Sequence, residues 1–437
     1  MAQDAAHSQN TYQSGSHSSD VRIEAMRRLF IAVLAGILFT GNISHVDAQT
    51  LTPEQWREDL AFLSLSISSK HPNPFHAISE ESFRSRVGRL HESIPDLKDY
   101  EIIVEMAALV AMLQDGHTQI QGGRQFLTGQ YPFRMQVFDD GIFVRSAPRA
   151  LKGTIGARLM SLGEVDVDEA FARVASTTPH DNDMTLKNWA PTNMVSPEFL
   201  HAQDITTDRD RARFVFADRK GRELILDLAP LPFEDPLDWI DASAGVKQPL
   251  YLQHLKDNYW HQYLEDSQIL FVQFNRVRDA PGESIAEFFT RISQRIPELP
   301  IKSIVLDVRF NSGGNNYLNA PVVEWVKSSM QGSKGNFYVI IGRGTFSAAQ
   351  TLVTRLEATT DVILVGEPTG GSPNHFGDSV KLQLPHSDLT LAVSSLYHND
   401  APGDNRTTIE PQLLAPLSSK DYFSGRDPAL EAILSTQ

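Results

Sequence analysis

From Asp266 onward the chain alternates short apolar runs with amphipathic ones, and this alternation restricts the fold more than any other feature. Gln268 to Phe274 reads as a strand and Ser284 to Ile296 as a helix. Ser303 to Phe310 follows as an almost continuously apolar run. A strand with no wet face is covered on both sides, as at the centre of a parallel sheet. Asn311 to Asn316 makes a tight loop, a helix runs to about Ser329, and Asn336 to Gly342 and Asp361 to Val365 are further strands. Repeated β-α units with right-handed crossovers predict an α/β fold with an at least partly parallel sheet.

The preceding sequence is of two other kinds. Thr52-Pro53-Glu54-Gln55 opens a helix with a capping box, and Trp56, Leu60, Leu63 and Ile67 fall on one face of it. Helices are also expected over Glu81 to Ile94 and over Tyr100 to Leu113, the latter apolar nearly all round and stopped by Gly116. From Gly122 to about Leu231 the pattern becomes alternating, with Asp139-Asp140-Gly141 as a hairpin turn and Asp166 as the cap of one helix. Thr178 to Asp208 is polar and irregular, and reads as a mobile loop or a cover over a cleft. The expected division is a tail and signal peptide at 1–48, a helical N-terminal region at 49–121, a smaller β-rich domain at 122–235 and the α/β domain at 236–437.

Met26-Arg27-Arg28, the apolar run Leu29 to Phe39 and Val46-Asp47-Ala48 together resemble a secretory signal peptide cleaved after Ala48, with an uncleaved anchor as the alternative and Met26 as an alternative start. The expected location is therefore secreted or periplasmic. The apolar run is too short to span a bilayer comfortably. The chain has no cysteine, which excludes thiol nucleophiles, thiolate metal sites and disulfides. A net charge of -15, with no basic cluster interleaved with aromatics, argues against nucleic acid as a partner.

One hydroxyl stands where a side chain can react. Ser347 lies between the strand ending at Gly342 and a helix opening Ala348-Ala349-Gln350. The unpaired N–H groups of that helix start attract developing negative charge. Ser347 is thus a candidate nucleophile, with the Ala348 N–H as half of an oxyanion hole. Ser347 and Gln350 equally spell a capping box, and from this segment both readings stand. Gly313 and Gly314 let the preceding loop approach a ligand closely, and either N–H supplies a second donor. Asn315 and Phe346 are placed to touch substrate. The candidate base is His117, in the turn Asp115-Gly116-His117-Thr118, with His375 and His398 as rivals. Asp404 and Glu410 are candidates for orienting it; Asp307 and Glu367 are weaker. No His-Glu-x-x-His spacing occurs, so no metal and no other cofactor is expected.

Asp115-Gly116-His117-Thr118, Leu306 to Gly314, Gly344 to Ala349 and Val365 to Gly371 occur in the order that resembles tail-specific, C-terminal-processing serine peptidases. The resemblance is greatest to the branch holding the tricorn protease core and the interphotoreceptor retinoid-binding protein modules, and spans about Leu51 to Pro416. It implies a Clp protease/crotonase-like catalytic domain and metal-free hydrolysis of peptides or unfolded protein tails. It also implies Ser347 as nucleophile, His117 as base and Ala348 with Gly313 or Gly314 as oxyanion donors. Where the processing branch has a lysine base this chain has Ser372, and where the tricorn core has a serine before the histidine it has Gly116. The orienting acid of that branch falls near Asp404 or Asn405, of which only Asp404 stabilises an imidazolium by charge. A non-catalytic module for an apolar ligand or polypeptide, and a hydrolase of non-peptide esters or amides, are the alternatives.

Overall fold

The computed structural model describes residues 51–436 except 234–236, 243–247 and 333–334. The expected tail and signal peptide, 1–48, lie outside the described residues.

The first helix, Pro53–Lys70, starts with the capping box that Thr52 and Gln55 spell, and buries Trp56, Leu60, Leu63 and Ile67. Each such side chain removed from water contributes about 1.5–3 kcal/mol. Their core is not built from the N-terminal helices alone. It also takes Leu384, Leu389, Leu391 and Val393 from the last quarter of the chain. The strand Gln119–Gln121, just beyond His117, pairs antiparallel with Thr390–Val393. The early helices are thereby tied to the late sequence. The helix Asp99–Ala111 ends earlier than its apolar pattern suggests, and Gln114 rather than Gly116 takes the left-handed conformation beyond it, at φ 51°.

The middle sheet is antiparallel, in the order Arg134–Phe138, Gly141–Pro148, Arg158–Leu162, Ala212–Ala217 and Glu223–Leu228. Its inner face packs on the helices Val167–Ala175, Asp183–Asn193 and Pro197–Ala202 through Ala170, Val174, Ala190, Met194 and Leu200. Two of these helices occupy the polar stretch expected as a mobile loop or a cover. Its polar residues are capping and docking groups. Asn182 caps its own helix, and its Nδ2 also donates to the carbonyls of Thr369 (3.1 Å) and Thr407 (2.6 Å). Thr185 Oγ1 donates to the Gly370 carbonyl. The stretch is therefore clamped on the loops that follow the strand Ile363–Gly366 and precede Leu413–Leu414.

That sheet has the order Leu413–Leu414, Ile363–Gly366, Asn336–Ile341, Ser303–Asp307, Ile269–Phe274 and Tyr259–Leu264. Every pairing is parallel except the last. Helices Ile285–Arg295, Ala320–Gly332 and Ala348–Thr359 cover one face, and Ala429 and Ile433 of Pro428–Ser435 cover the other. Burial on both faces accounts for the apolar run at Ile304 to Val308, which only Asp307 interrupts. No helix among the described residues is long and apolar enough to cross a membrane.

Candidate active site

Ser347 follows the central strand Asn336–Ile341 by one tight turn. Thr345 Oγ1 donates to the Val308 carbonyl (2.9 Å), and the Phe346 N–H donates to the Asn311 carbonyl (3.1 Å). These bonds pin the turn to the neighbouring strand's loop. Gly344 is required there, because a Cβ would lie 2.6 Å from the Arg309 carbonyl oxygen. Ser347 itself has φ 54° and ψ -128°, a conformation L side chains rarely adopt and one that costs about 1–3 kcal/mol. Its hydroxyl makes no capping bond. Gln350, the other half of the possible capping box, is fully buried with neither side-chain polar atom bonded. The capping reading is therefore corrected: the Ala349 and Gln350 N–H groups donate to the Phe346 carbonyl rather than to the Ser347 hydroxyl.

The glycine loop abuts this serine. Gly313 has φ 103°, and a Cβ on it would fall 2.7 Å from Ser347 Cβ and 2.8 Å from Ala348 N. Asn319 Nδ2 donates to the Ala348 carbonyl (2.7 Å), locking the loop to the helix start. The two glycines are not equivalent. The Gly313 N–H already donates to Asn311 Oδ1 (2.9 Å), which removes it as an oxyanion donor in this conformation. Asn315 is exposed, but its side chain accepts from the Tyr317 N–H (3.1 Å) and caps a short 3-10 turn. Tyr317 is 93% exposed beside the loop and was not anticipated.

His117 arrives from the early part of the chain. Its ring lies on that of Phe346, with centroids 4.5 Å apart and planes at 20°. Phe346 is 6% exposed and is further fixed by the edge of Trp189, 5.1 Å away. Its expected role against substrate is thus corrected: it is a packed support for the imidazole. On the other side His117 faces His375 (5.7 Å), which faces His398 (5.0 Å). Neither ring nitrogen of His117 has a hydrogen-bond partner, although both are buried. Burial lowers its pKa below the ordinary histidine value, more than Asp115 raises it. At neutral pH it is an unprotonated imidazole, the form a base requires. His375 is pushed down to about 3 by burial and by the neighbouring His117, and its Nδ1 lies 3.2 Å from the Ser372 carbonyl. His398 Nε2 pairs with Asp378 at 3.3 Å.

The carboxylates differ from expectation. Both oxygens of Asp404 are taken by Arg406, which also grips Glu357. Asp404 therefore does not orient the histidine; a cation two residues along holds it instead. Asp307 pairs with Arg309 and Glu367 with Arg343, and Glu410 is exposed. The ionised carboxylate beside His117 is Asp115, whose Oδ1 accepts the His117 backbone N–H (2.9 Å) and lies 4.0 Å from His117 Nδ1. Its Oδ2 lies 3.1 Å from His71 Nε2, and His71 Nδ1 accepts from the Asn73 N–H, which assigns the proton to Nε2. Burial pushes the Asp115 carboxyl up, but the bonds from His71 and Thr118 and the proximity of His117 outweigh it and hold the group below the usual carboxylate range.

A second carboxyl was missed. Asp181, on the docked middle segment, accepts the Gly116 N–H at Oδ1 (2.7 Å). One oxygen of Asp181, one of Asp115 and one ring nitrogen of His117 all lie within 4.8 Å of one another. Burial first, and then the charge of Asp115, raise Asp181 to about 8, with the Gly116 and Ser372 amides pulling it back only partly. Only the departure at Gly116 hinted at it, since an added Cβ there would meet Phe346 at 2.9 Å and Asp181 Oδ1 at 3.1 Å.

No family model and no curated protein sequence matches the chain. Solved structures do. Mature CPAF superposes with a TM-score of 0.62 at 12% identity, over 88% of this chain and 96% of that one. The fold is that of CPAF. CPAF complexed with lactacystin matches at TM-score 0.61, 12% identity, 88% of this chain and 97% of that one. The photosystem II D1 C-terminal processing protease is a further structural neighbour, at TM-score 0.42 and 14% identity over 88% and 97% of the two chains.

Proposed function

We propose that this chain is a serine peptidase of the tail-specific kind, with a Clp protease/crotonase-like catalytic domain, that hydrolyses peptide bonds of peptides or protein tails. One observation carries the reading. An uncapped serine hydroxyl on strained backbone directly follows the phenylalanine that stacks on an unpaired, neutral imidazole. Capping a helix needs neither the strain nor the imidazole.

In the proposed reaction Ser347 Oγ attacks the scissile carbonyl carbon while His117 takes the hydroxyl proton. The oxygen, now negative, is held by the N–H groups of Ala348 and Gly314. The tetrahedral species expels the amine, which receives the proton from His117. Water then repeats the sequence on the acyl-enzyme and restores the serine. The charge of Asp115 favours the transient imidazolium. A cleft of about 460 Å³ borders the Gly342 to Gly344 turn, and its charged lining is Arg134, Arg145, Lys187, Arg309, Arg343 and the single acid Glu367. Arg309 is paired with Asp307 and Asp427, Arg343 with Glu367 and Arg145 with Asp241, so most of that positive charge is already matched within the protein. Export to the periplasm or beyond is part of the proposal and rests on the sequence up to Ala48; N-terminal sequencing of protein from the cell envelope tests it.

The deciding experiment pairs a serine-directed phosphonate with a panel of fluorogenic peptides and simple esters. Labelling at Ser347, and loss of several orders of magnitude of peptide hydrolysis in folded Ser347→Ala, are expected. Unchanged hydrolysis in that variant overturns the reading, and activity confined to esters replaces the substrate class.

A further inference from the structure

Asp181 belongs to the middle part of the chain yet reaches the histidine of the first part. Its segment is held in place by Asn182 and Thr185, which bond to backbone at Thr369, Gly370 and Thr407. Its Oδ1 is used by the Gly116 N–H, but its Oδ2 is buried and makes no well-formed hydrogen bond. The two His117 ring nitrogens are equally buried and equally unpaired. Orphaned buried polar atoms are costly, and one oxygen of Asp181 lies within 4.8 Å of a His117 ring nitrogen, so the two groups are natural partners. Asp115 cannot fill the place as well. Its two oxygens already receive the His117 N–H, His71 and Thr118, and its nearer oxygen is 4.0 Å from Nδ1. Catalytic hydrogen bonds are often long before substrate binds and tighten only in the complex.

We propose that Asp181 is the positioning residue that sets the tautomer of His117. As a carboxylate it accepts a hydrogen bond from Nδ1–H, which leaves the Nε2 lone pair free to take the serine proton. As a carboxylic acid it donates to Nδ1, which requires the ring hydrogen on Nε2 and removes the base. The two forms differ by one proton, released to solvent from Asp181, and by which imidazole nitrogen carries hydrogen. Wrong-tautomer placement of a catalytic histidine is costly in the serine hydrolases where it has been arranged. The groups facing this pair are Asp115 with its His71 and Thr118 bonds, the His375 and His398 rings, Asp378 beyond them, and the Gly116 and Ser372 amides. None of them is a lysine or arginine, so a proton is what separates the two buried carboxyls. The elevation of Asp181 to about 8 places the exchange on the alkaline side of neutrality.

The inference rests on the Ser347–His117 reading, and two measurements keep the failures apart. In the full chain, Asp181→Asn is expected to lower kcat by about 10²–10⁴-fold with KM within a few-fold, and to abolish an alkaline rise of kcat present in the unsubstituted protein. Wild-type kcat with an unchanged pH profile overturns the proposal. Independently of turnover, nitrogen NMR of His117 in the Ser347→Ala background should show hydrogen moving from Nε2 to Nδ1 as pH rises, and no such movement once Asp181→Asn is added. The same tautomer behaviour in both overturns it, whereas hydrolysis that survives Ser347→Ala sinks the peptidase assignment and leaves the NMR answer standing.

Discussion

The Phe346 ring lies nearly parallel to the His117 ring, 4.5 Å between centroids, and so joins the residue before the serine to an imidazole 229 positions earlier in the chain (346 − 117). Trp189 packs on the same phenylalanine at 5.1 Å with planes at 71°, so the ring that supports the imidazole is itself held.

Phe346→Ala is expected to cost about 3–5 kcal/mol of stability, the usual range for emptying a buried phenylalanine site. Phe346→Leu should recover most of that stability yet leave kcat reduced, because a branched aliphatic chain does not offer the ring a flat support. Urea unfolding beside peptide hydrolysis separates the two effects. Equal recovery of stability and kcat would show that the ring fills space only.

Backbone strain at Ser347 makes a prediction that activity assays do not see. Ser347→Gly should be more stable than Ser347→Ala by about 1 kcal/mol, because glycine alone enters φ 54° and ψ -128° without penalty. In a helix interior the order is reversed. Thermal unfolding of both inactive variants decides it.

Gly313→Ala is expected to fold less stably by roughly 1–3 kcal/mol and to hydrolyse peptide far more slowly, since its methyl lands 2.7 Å from Ser347 Cβ on backbone at φ 103°. Phosphonate labelling of Ser347 should slow in parallel. Labelling at the original rate would mean that the two loops separate easily.

Asp404→Ala should change kcat/KM by no more than about 3-fold. Its carboxylate is bound by Arg406 at the surface, and exposed pairs of this kind contribute about 0–1 kcal/mol. A loss of two orders of magnitude would return Asp404 to the site.

The pH dependence of stability follows from two groups with opposite signs. Asp181, raised to about 8, binds a proton in the folded protein that the unfolded chain releases near an ordinary carboxylate value, so its term favours folding less and less as pH climbs towards 8. His375, lowered to about 3, stays neutral when the unfolded chain is protonated, so stability falls as pH drops below about 6.5 towards 3. Between pH 6.5 and 8 the first term alone amounts to at most about 2 kcal/mol. Asp181→Asn should flatten the alkaline decline and steepen the acid one, which the Asp181 term opposes between about pH 4 and 6.5, as measured by denaturant unfolding across pH.

Much of this architecture was legible residue by residue. Capping at Thr52 and Asp166, the Asp139-Asp140-Gly141 hairpin, and the almost continuous apolar run at Ser303 to Phe310 are local signals read over a few positions, and each has its counterpart in the structure. Thr178 to Asp208 misled because its polar residues bond to backbone elsewhere, at Thr369, Gly370 and Thr407, which no window along the chain contains. Asp404 misled for the converse reason: position relative to Ser347 says nothing about an arginine two residues away that claims both oxygens.

By itself, the amino-acid order determined the β-α alternation, the glycine loop and the strand–serine–helix junction, because backbone preferences and apolar periodicity act over neighbouring residues. Only the tertiary structure decided that Ser347 does not cap its helix, that Gly313 has already spent its N–H on Asn311, and that Asp115 and Asp181 rather than Asp404 surround His117. Burial and charge proximity are sums over atoms brought together from distant parts of the chain. They exist only once the early helices, the middle sheet and the late sheet have packed.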